Sequence, residues 1–275
     1  MSFILLGLIQ GLTEFFPVSS SGHLVIAKYF LKLYLPGAAF EAFVHFGTVL
    51  AVIALFRKEI KELVISFFNS IYKLFQGEDW SNILKNNSFS KFAWYLIISS
   101  IPAAIIGYAF SLYFEILFNK AIITSLMLII TGFLLWFGNK NYTRGNKNIL
   151  EITYKDAIFI GLAQAIAIIP GISRSGLTIF AGLYRNLNRE FAAKYSFILS
   201  IPIILGATIF KIGELSSLNI NTTTLILSGM AALISGYGAM KIFIRLLKNR
   251  KIYIFSYYLW ILSTVTIWIS LSRGY

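Results

Sequence analysis

The chain contains no cysteine, and few of its residues carry a charge. Without cysteine it can form neither disulfide bonds nor thiolate metal sites. Cysteine content therefore does not indicate whether the protein faces an oxidising or a reducing compartment. Charged residues make up 13% of its 275 residues and hydrophobic residues 57%, whereas a soluble domain is usually about 25% charged. This shortage excludes an ordinary soluble enzyme. Together with a mean hydropathy of +0.76, it predicts a polytopic membrane protein.

Acidic residues are also scarce, because 24 Lys and Arg outnumber 11 Asp and Glu and leave a formal net charge of +13. Such an excess could indicate a nucleic-acid-binding protein. Here, however, the cations fall in short loops between apolar runs and form no soluble basic face. In such loops they orient a membrane protein and contact anionic lipid head groups. The sequence therefore predicts the membrane, and no nucleic acid, as a partner.

Six apolar runs approach the ~20 residues that a helix needs to cross a bilayer. They are residues 40–56, 92–114, 119–138, 191–210, 223–244 and 252–272. Two other apolar segments, 2–16 and 157–169, each lead into a proline and a Ser/Gly cluster that does not continue a regular helix. Irregular backbone at membrane depth is tolerated only where it is buried in protein or lines a wet cavity. These two segments predict re-entrant helical hairpins with a polar motif at each tip.

The basic residues predict the orientation. If the insertion 57–91 is cytoplasmic and 157–187 is re-entrant, the basic clusters within 140–155, 185–194 and 245–251 lie on the same side, as the positive-inside rule requires. The first hairpin then enters from outside and the second from the cytoplasm, so the two halves have inverted topology. The predicted fold class is an all-α polytopic membrane protein with six transmembrane helices, two re-entrant hairpins and an inverted-topology repeat. A single integral-membrane domain, 1–275, would contain a first repeat, 1–138, with its insertion, and a second repeat, 155–275.

Two patterns concern the surfaces of this fold. Apolar residues recur at helical spacing between positions 60 and 75, which predicts an amphipathic helix on the inner membrane surface. Small residues in the fifth span would allow close contact with another helix; they are Gly229, Ala231, Ala232, Ser235, Gly236 and Gly238. The sequence leaves open whether that contact lies within one chain or forms a homodimer.

A polar motif occurs twice, 154 residues apart, at the two predicted hairpin tips. The first copy contains Gly7, Leu8, Gln10, Ser19, Ser21 and Gly22, which recur as Gly161, Leu162, Gln164, Ser173, Ser175 and Gly176. Polar groups are costly inside hydrocarbon and point to function there. The two copies therefore predict one site built from two halves.

The first tip offers a carboxylate and an amide. Gln10 and Glu14 are four residues apart and share one face of a helix. Carboxylate and amide oxygens suit hard cations such as Mg²⁺ or Ca²⁺, and Glu14 could also act as a base. The alternative is a structural glutamate, satisfied by neighbouring hydroxyls or by Arg174.

The same tip offers hydroxyls beside an imidazole, because Ser19, Ser20 and Ser21 precede His23. A serine becomes a good nucleophile when a base takes its proton, and histidine titrates in the useful range. This run favours a catalytic role for His23. His45 lies within an apolar run without such a cluster, so we expect it to be a structural partner between helices.

The second tip, residues 170–176, is typical of an anion-binding turn. Its glycines, Gly171 and Gly176, leave backbone N–H groups accessible, and a helix beginning there directs its positive end at the tip. The Arg174 guanidinium matches phosphate oxygens. It could instead pair with Glu14 as a structural lock, which substrate would displace. The anion-binding turn, a metal ligand, a nucleophile and a base are together the parts of a phosphoryl-transfer site.

At these residues the chain closely resembles the undecaprenyl-diphosphate phosphatases of bacteria, the bacitracin-resistance family. That family carries Glu/Gln-x-x-x-Glu, then Pro-Val-Ser-Ser and Gly-His, and in its second half Pro-Gly-x-Ser-Arg-Ser-x-x-Thr. Here Gln10-x-x-x-Glu14, Pro17 through His23 and Pro170 through Thr178 match in order and spacing. The likeness spans nearly the whole chain.

The resemblance implies removal of the terminal phosphate from a C55 polyprenyl diphosphate, giving the monophosphate carrier lipid for cell-wall synthesis and resistance to bacitracin. It implies a divalent cation, a bacterial inner-membrane location and an active site that faces outwards. By motif, Glu14 is the metal-binding or acid–base carboxylate, Ser20 the nucleophile, His23 a base or phosphate contact, and Arg174 the diphosphate clamp. The other implied residues are Ser19, Ser21, Gly171, Ser173, Ser175, Gly176 and Thr178 for phosphate, and Gln10 for the metal. Gln10 stands where many members have glutamate, and a neutral amide binds a metal more weakly.

Two alternatives stay open at this stage. Water could attack the phosphorus directly, with no phosphoserine intermediate. Inverted repeats with broken helices also occur in secondary transporters, so the second function is a lipid-phosphate flippase or anion transporter. The serines beside His23 favour an enzyme, because transport needs no nucleophile beside a base.

Overall fold

A computed structural model describes residues 1–33, 38–110, 113, 117, 120–141, 145–217, 220–248 and 252–272. Within these ranges every extended regular element is a helix. The helices are α1 Ser2–Glu14, α2 Ser20–Leu31, α3 Ala39–Leu55, α4 Arg57–Phe75, α5 Trp80–Asn86, α6 Ser88–Ala109, α7 Ala121–Asn141, α8 Tyr154–Ile166, α9 Arg174–Tyr184, α10 Arg189–Lys211, α11 Thr222–Lys248 and α12 Ile254–Ser272, with a 3₁₀ turn at Ile212–Ser217.

Five of the described helices, α6, α7, α10, α11 and α12, are long and apolar enough to cross a membrane. A sixth span is obtained if α3 and α4 count together, although the chain bends by 90° between them. The protein is therefore an all-helical, multi-pass membrane protein, as its composition predicts. Residues 111–112, 114 and 118–119 at the predicted span ends, and 142–144 and 249–251 in the predicted basic clusters, lie outside the described residues.

The insertion contains the helix that its apolar spacing predicts. This helix is α4, which begins directly after α3. This helix has a partner within the chain: Trp94 of α6 donates from its indole Nε1 to the Ser70 hydroxyl of α4 at 2.9 Å. At its other end the Lys194 ammonium of α10 lies 2.9 Å from the Glu59 carboxylate. The position of α4 at a membrane surface stays a prediction.

Each motif segment forms a pair of short helices, α1 with α2 and α8 with α9, which contact each other. The first helix of each pair packs on a long span, α1 on α11 and α8 on α6. Glycines allow both approaches, because an added Cβ would lie 2.1 Å from the Ser228 carbonyl oxygen at Gly7 and 2.7 Å from that of Ser99 at Gly161. Inside a bilayer the burial of apolar surface does not drive helices together, and close van der Waals packing of this kind does so instead.

Some of the small residues of α11 make close contacts within the chain, whereas an added Cβ at Gly238 would meet nothing within 4 Å. A Cβ added at Gly11 of α1 would lie 2.0 Å from the Ser235 hydroxyl and 2.3 Å from the Ala232 carbonyl oxygen. One added at Gly229 would meet the ring of Phe43 at 2.9 Å. These contacts place α11 between α1 and α3. The homodimer stays a prediction.

Candidate active site

Both hairpins place their polar residues at the start of the second helix by the same local structure. Ser19 caps α2 by accepting from the Gly22 N–H at 3.3 Å, and Ser173 caps α9 by accepting from the Gly176 N–H at 3.1 Å. The capping hydroxyls also contact the second serine of each motif, with Oγ–Oγ distances of 3.2 Å for Ser19–Ser21 and 3.3 Å for Ser173–Ser175. The positive ends of the α2 and α9 dipoles therefore lie at the two tips.

The two tips meet, as the repeated motif predicts. The Ser175 hydroxyl donates to the Phe16 carbonyl oxygen at 2.9 Å. A Cβ added at Gly176 would lie 3.1 Å from the Cβ of Pro17. These contacts bring the second half of the chain against the turn between α1 and α2.

Glu14, the last residue of α1, is the centre of this meeting point. Its Oε2 accepts from the Ser20 hydroxyl at 2.5 Å and from the Gln10 amide Nε2 at 2.8 Å. Its Oε1 is paired with the guanidinium of Arg174. The side chain is 5% exposed. The structure thus confirms the Arg174–Glu14 pair and joins it to the Ser20 hydroxyl.

His23 has different partners from those expected of a base for serine. Its Nδ1 lies 2.8 Å from the Ser19 carbonyl oxygen, which can only accept, so Nδ1 donates. Its Nε2 accepts from the Tyr258 hydroxyl of α12 at 2.7 Å. The two rings are stacked with 5.6 Å between centroids. The Ser20 proton therefore faces Glu14, and Tyr258 is a site residue for which the sequence carries no signal.

His45 of α3 faces Glu14 of α1, so it is a partner between helices, as expected, and it also lies at the candidate site. Its Nε2 lies 3.4 Å from Glu14 Oε2, and its Nδ1 lies 2.6 Å from the Glu41 carbonyl oxygen. Its side chain is 22% exposed, more than that of Glu14. The one available signal is that the chain has only two histidines, and both lie at this site.

A buried ion pair joins α2 and α3, the helices that carry the two histidines. The Lys28 ammonium is paired with the Glu41 carboxylate, and both side chains are 8% exposed. Lys28 belongs to no motif, yet it is buried within α2. This pair holds α3, and with it His45, against the first hairpin.

The second tip is held by residues of α7 and α10. Thr131 of α7 donates to the Gly171 carbonyl oxygen at 2.8 Å and accepts from the Ser173 N–H at 3.2 Å. Gly171 has a φ of +96°, which disfavours any other residue there. Thr178 donates to the Arg174 carbonyl oxygen at 2.7 Å. Thr178 thus supports the first turn of α9, which carries Arg174.

Ser196 of α10 completes the support of this arginine. Its carbonyl oxygen accepts from Arg174 NH1 at 3.2 Å, and its hydroxyl lies 2.7 Å from the Thr178 hydroxyl. One amino group of the guanidinium is therefore anchored on α10, and the other is directed at Glu14. The guanidinium of Arg174 is therefore held between α10 and Glu14.

The residues around Glu14 fit a divalent cation in part. The amide oxygen Oε1 of Gln10 is buried without a hydrogen-bond partner, and the same amide donates to Glu14. Among the described residues, however, no group of three or more His, Asp and Glu side chains could hold a metal. Gln10 and Glu14 supply one amide oxygen and one carboxylate, so phosphate oxygens and water would have to complete the coordination.

Comparisons with known proteins identify the family of this chain. Residues 3–265 match the family model described as bacitracin resistance protein BacA. A protein of Desulforapulum autotrophicum named undecaprenyl-diphosphatase is 40% identical over 96% of each chain. The proteins of that name from Methanobrevibacter smithii and Alkaliphilus metalliredigens are each 39% identical, over 95% and 98% of this chain and 94% and 98% of their own lengths.

Proposed function

The chain belongs to the family of bacitracin resistance protein BacA, and we propose that it hydrolyses undecaprenyl diphosphate. The reaction converts this C55 polyprenyl diphosphate and water into the monophosphate carrier lipid and inorganic phosphate. The product recycles the carrier for cell-wall synthesis. Removal of the diphosphate also explains resistance to bacitracin.

One observation carries this proposal: Glu14 joins a serine hydroxyl from one hairpin to a guanidinium from the other. A hydroxyl 2.5 Å from a carboxylate is placed to lose its proton. A guanidinium beside it attracts phosphate oxygens. Nucleophile, base and anion clamp thus meet at one buried point, where two helices also begin.

In the first step, Arg174 leaves Glu14 and binds the diphosphate, and the freed carboxylate takes the Ser20 proton. The bond from Ser20 Oγ to the terminal phosphorus forms while the bond from that phosphorus to the bridging oxygen breaks. Polyprenyl monophosphate departs with the bridging oxygen. The negative charge on the departing group is stabilised by Arg174 and the positive end of α9.

In the second step, water attacks the phosphoserine, and the Oγ–phosphorus bond breaks. The Ser20 oxygen regains the proton held by Glu14, and inorganic phosphate leaves. His23 Nε2 takes a proton from the water when the Tyr258 hydroxyl moves aside, and it passes this proton to the departing phosphate, which restores the neutral ring. In the direct route, the water attacks the lipid substrate, with Glu14 as its base and no bond to Ser20.

The remaining residues hold phosphate or hold the residues that do. Backbone N–H groups of the first turns of α2 and α9 are directed at the tips because a helix start leaves them without intrahelical partners. Ser19, Ser21, Gly171, Ser173, Ser175 and Gly176 shape these two turns. Thr178 acts through Arg174, because its hydroxyl donates to the Arg174 carbonyl oxygen.

A divalent cation, Mg²⁺ or Ca²⁺, is part of this proposal, with Glu14 and Gln10 as its protein ligands. When bound, it would neutralise charge on the diphosphate as a Lewis acid. The direct contact of the Gln10 amide with the Glu14 carboxylate supports the assignment. The amide is neutral, so binding depends strongly on the phosphate of the substrate.

We also propose that the two hairpins are re-entrant and that the repeats 1–138 and 155–275 have inverted topology in the bacterial inner membrane. The matched packing of α1 on α11 and α8 on α6 supports the repeat. His45, which contacts Glu14, lies nearer the start of α3 than its end. Since α3 leads into the basic helix α4, a cytoplasmic α4 puts the active site nearer the outer face.

The test is phosphate release from C55 polyprenyl diphosphate by purified protein, with and without a chelator of divalent cations. We expect rapid release that the chelator suppresses and that added Mg²⁺ or Ca²⁺ restores. A wild-type protein that binds the lipid and moves it across vesicles without releasing phosphate would instead be the transporter.

A further inference from the structure

We propose that Tyr258 is a further residue of the active site, whose hydroxyl donates to His23 at rest and to a phosphate oxygen during the reaction. The inference rests on the proposed function and deepens it, because it gives the displaced hydroxyl a role in hydrolysis. Tyr258 belongs to neither motif and reaches His23 from α12.

The first support is the hydrogen bond between these two residues. His23 Nδ1 lies 2.8 Å from the Ser19 carbonyl oxygen, which only accepts, so the lone pair of the neutral ring is on Nε2. The Tyr258 hydroxyl lies 2.7 Å from Nε2 and is therefore the donor of this bond. At rest it occupies the one ring nitrogen that can take a proton from water.

The second support is that a hydroxyl displaced from this nitrogen needs another acceptor. A polar group inside the protein or in hydrocarbon is costly without a hydrogen bond. Water that attacks a phosphoserine at Ser20 and loses its proton to His23 lies between Nε2 and the phosphorus. Phosphate oxygens are then the nearest new acceptors for the Tyr258 hydroxyl, and a donor directed at them stabilises their charge.

The third support is that α12 anchors Tyr258 while its ring keeps room to move. Two residues further, the Trp260 indole donates to the Ile129 carbonyl oxygen of α7 at 3.3 Å. The Tyr258 ring stacks on the His23 ring, with 12° between the two planes. Tyr258 is 45% exposed and His23 is 8% exposed. The tyrosine ring therefore lies on the outer side of the imidazole and can turn outwards without repacking the core.

Tyr257 provides the matched control. It is the neighbour of Tyr258 on α12 and is 50% exposed. Its ring lies 5.7 Å from the Trp260 ring and 6.2 Å from the Tyr253 ring, measured between centroids. None of the contacts that the structure describes for Tyr257 involves His23, so its hydroxyl can be removed without disturbing the imidazole.

The first experiment measures the reactivity of each histidine in the purified full-length protein. Diethyl pyrocarbonate modifies an imidazole nitrogen whose lone pair is free, and peptide mass spectrometry distinguishes His23 from His45, the only other histidine. Tyr258→Phe keeps the ring and removes the hydroxyl, so modification of His23 should become about fivefold faster or more. Modification of His45 should keep its rate, and Tyr257→Phe should leave both rates unchanged.

Two results of this experiment would overturn the inference. No rise at His23 in Tyr258→Phe would mean that the hydroxyl does not hold Nε2. An equal rise at both histidines would mean that Tyr258 acts only by stabilising the fold.

The second experiment measures phosphate release from C55 polyprenyl diphosphate by the same variants. Tyr258→Phe should lower kcat about tenfold or more, because one donor to the reacting phosphate is lost. Its KM should change far less, since the hydroxyl reaches the phosphate only after it leaves His23. Release by wild type with an unchanged kcat in Tyr258→Phe would overturn the inference and leave the phosphatase. No release by wild type would remove the phosphatase itself.

Discussion

The hairpin of α1 and α2 and the hairpin of α8 and α9 share a scaffold and differ in chemistry. Gly7 and Gly161 occupy the same place in the motif and allow the same close approach to a long span. Ser19 and Ser173 cap the second helices in the same way. This agreement concerns only residues that set backbone geometry.

The residues that carry charge differ at equivalent positions. At the same offset Glu14 corresponds to Ile168 and His23 to Leu177. Ser20 corresponds to Arg174, and both begin a helix and contact Glu14. The same turn thus presents a hydroxyl from one hairpin and a guanidinium from the other to a single carboxylate. In the proposed mechanism these two groups are the nucleophile and the phosphate clamp.

The largest expected effect comes from removing the proposed nucleophile of the first hairpin, the Ser20 hydroxyl. Ser20→Ala should lower phosphate release by about 10³-fold or more if the route is covalent, since no other hydroxyl contacts Glu14 in the described structure. Ser21→Ala, which removes the neighbouring hydroxyl, should reduce the rate far less. Rapid quenching with lipid labelled in the terminal phosphate should trap phosphoserine in the wild type. Substantial turnover by Ser20→Ala would leave only direct attack by water.

A smaller effect is expected at the equivalent position of the second hairpin. Arg174→Lys keeps the charge but cannot contact both Ser196 and a phosphate as the planar guanidinium does, so kcat/KM should fall about 10²–10³-fold. Arg185→Lys, in the same hairpin but paired with Asp156, is the control and should keep near-normal turnover. Equal losses of kcat/KM in the two variants would mean that Arg174 stabilises the hairpin and does not bind the phosphate.

The two motif glutamines test how far the hairpins differ. Gln10→Ala removes an amide that contacts Glu14 and should raise the divalent-cation concentration for half-maximal rate about tenfold. Gln164→Ala removes an amide that donates to the Ser99 carbonyl oxygen at 3.3 Å and should leave the cation requirement unchanged. Cation titrations of the two variants make the comparison. If the cation concentration for half-maximal rate rose in Gln164→Ala and not in Gln10→Ala, the cation would belong to the second hairpin instead of the first.

The smallest effect on turnover is expected at the base of the second hairpin, where Asp156 is paired with Arg185 and Lys147. Burial raises the pKa of Asp156, but hydrogen bonds from Arg185, Thr153 and Lys147 outweigh it and hold the pKa below its usual value. The pair therefore adds stability above the unfolded-state pKa of about 3.9, and this is lost as pH falls through the lowered pKa.

Asp156→Asn should accordingly lower the free energy of unfolding by about 1 kcal/mol, because both cations are partly exposed and screened. Phosphate release at moderate temperature should change little. Thermal unfolding of wild type and variant at neutral and acidic pH measures the effect, and the difference in Tm should shrink as the pH falls. A difference that grows with acidity would contradict the lowered pKa.

Much of this fold follows from the sequence because the bilayer limits the choices. Apolar length predicts the spans, and the six predicted runs coincide with α3, α6, α7, α10, α11 and α12 within a few residues. The helix breaks follow from Pro17 and Pro170 with their Ser/Gly clusters. The Glu14–Arg174 pair is also foreseeable, because a buried carboxylate needs a cation.

Other parts of the site depend on packing that no local pattern encodes. Tyr258 reaches His23 from 235 positions away in the chain, and nothing distinguishes it from other tyrosines in apolar runs. His45 lies in an apolar run without a polar cluster, and the packing of α3 on α1 brings it to Glu14. Thr178 matches a phosphate-binding motif, but only the fold reveals that its hydroxyl holds the Arg174 backbone.

The central claim is that Glu14 joins the two hairpins into one hydrolytic site. The most direct measurement compares phosphate release by wild type and Glu14→Gln, with lipid binding measured on the same samples. Glutamine keeps the size but can neither take the Ser20 proton nor bind a cation as a carboxylate. We predict retained binding of polyprenyl diphosphate and a rate lower by about 10³-fold or more. A rate within tenfold of wild type would contradict the account.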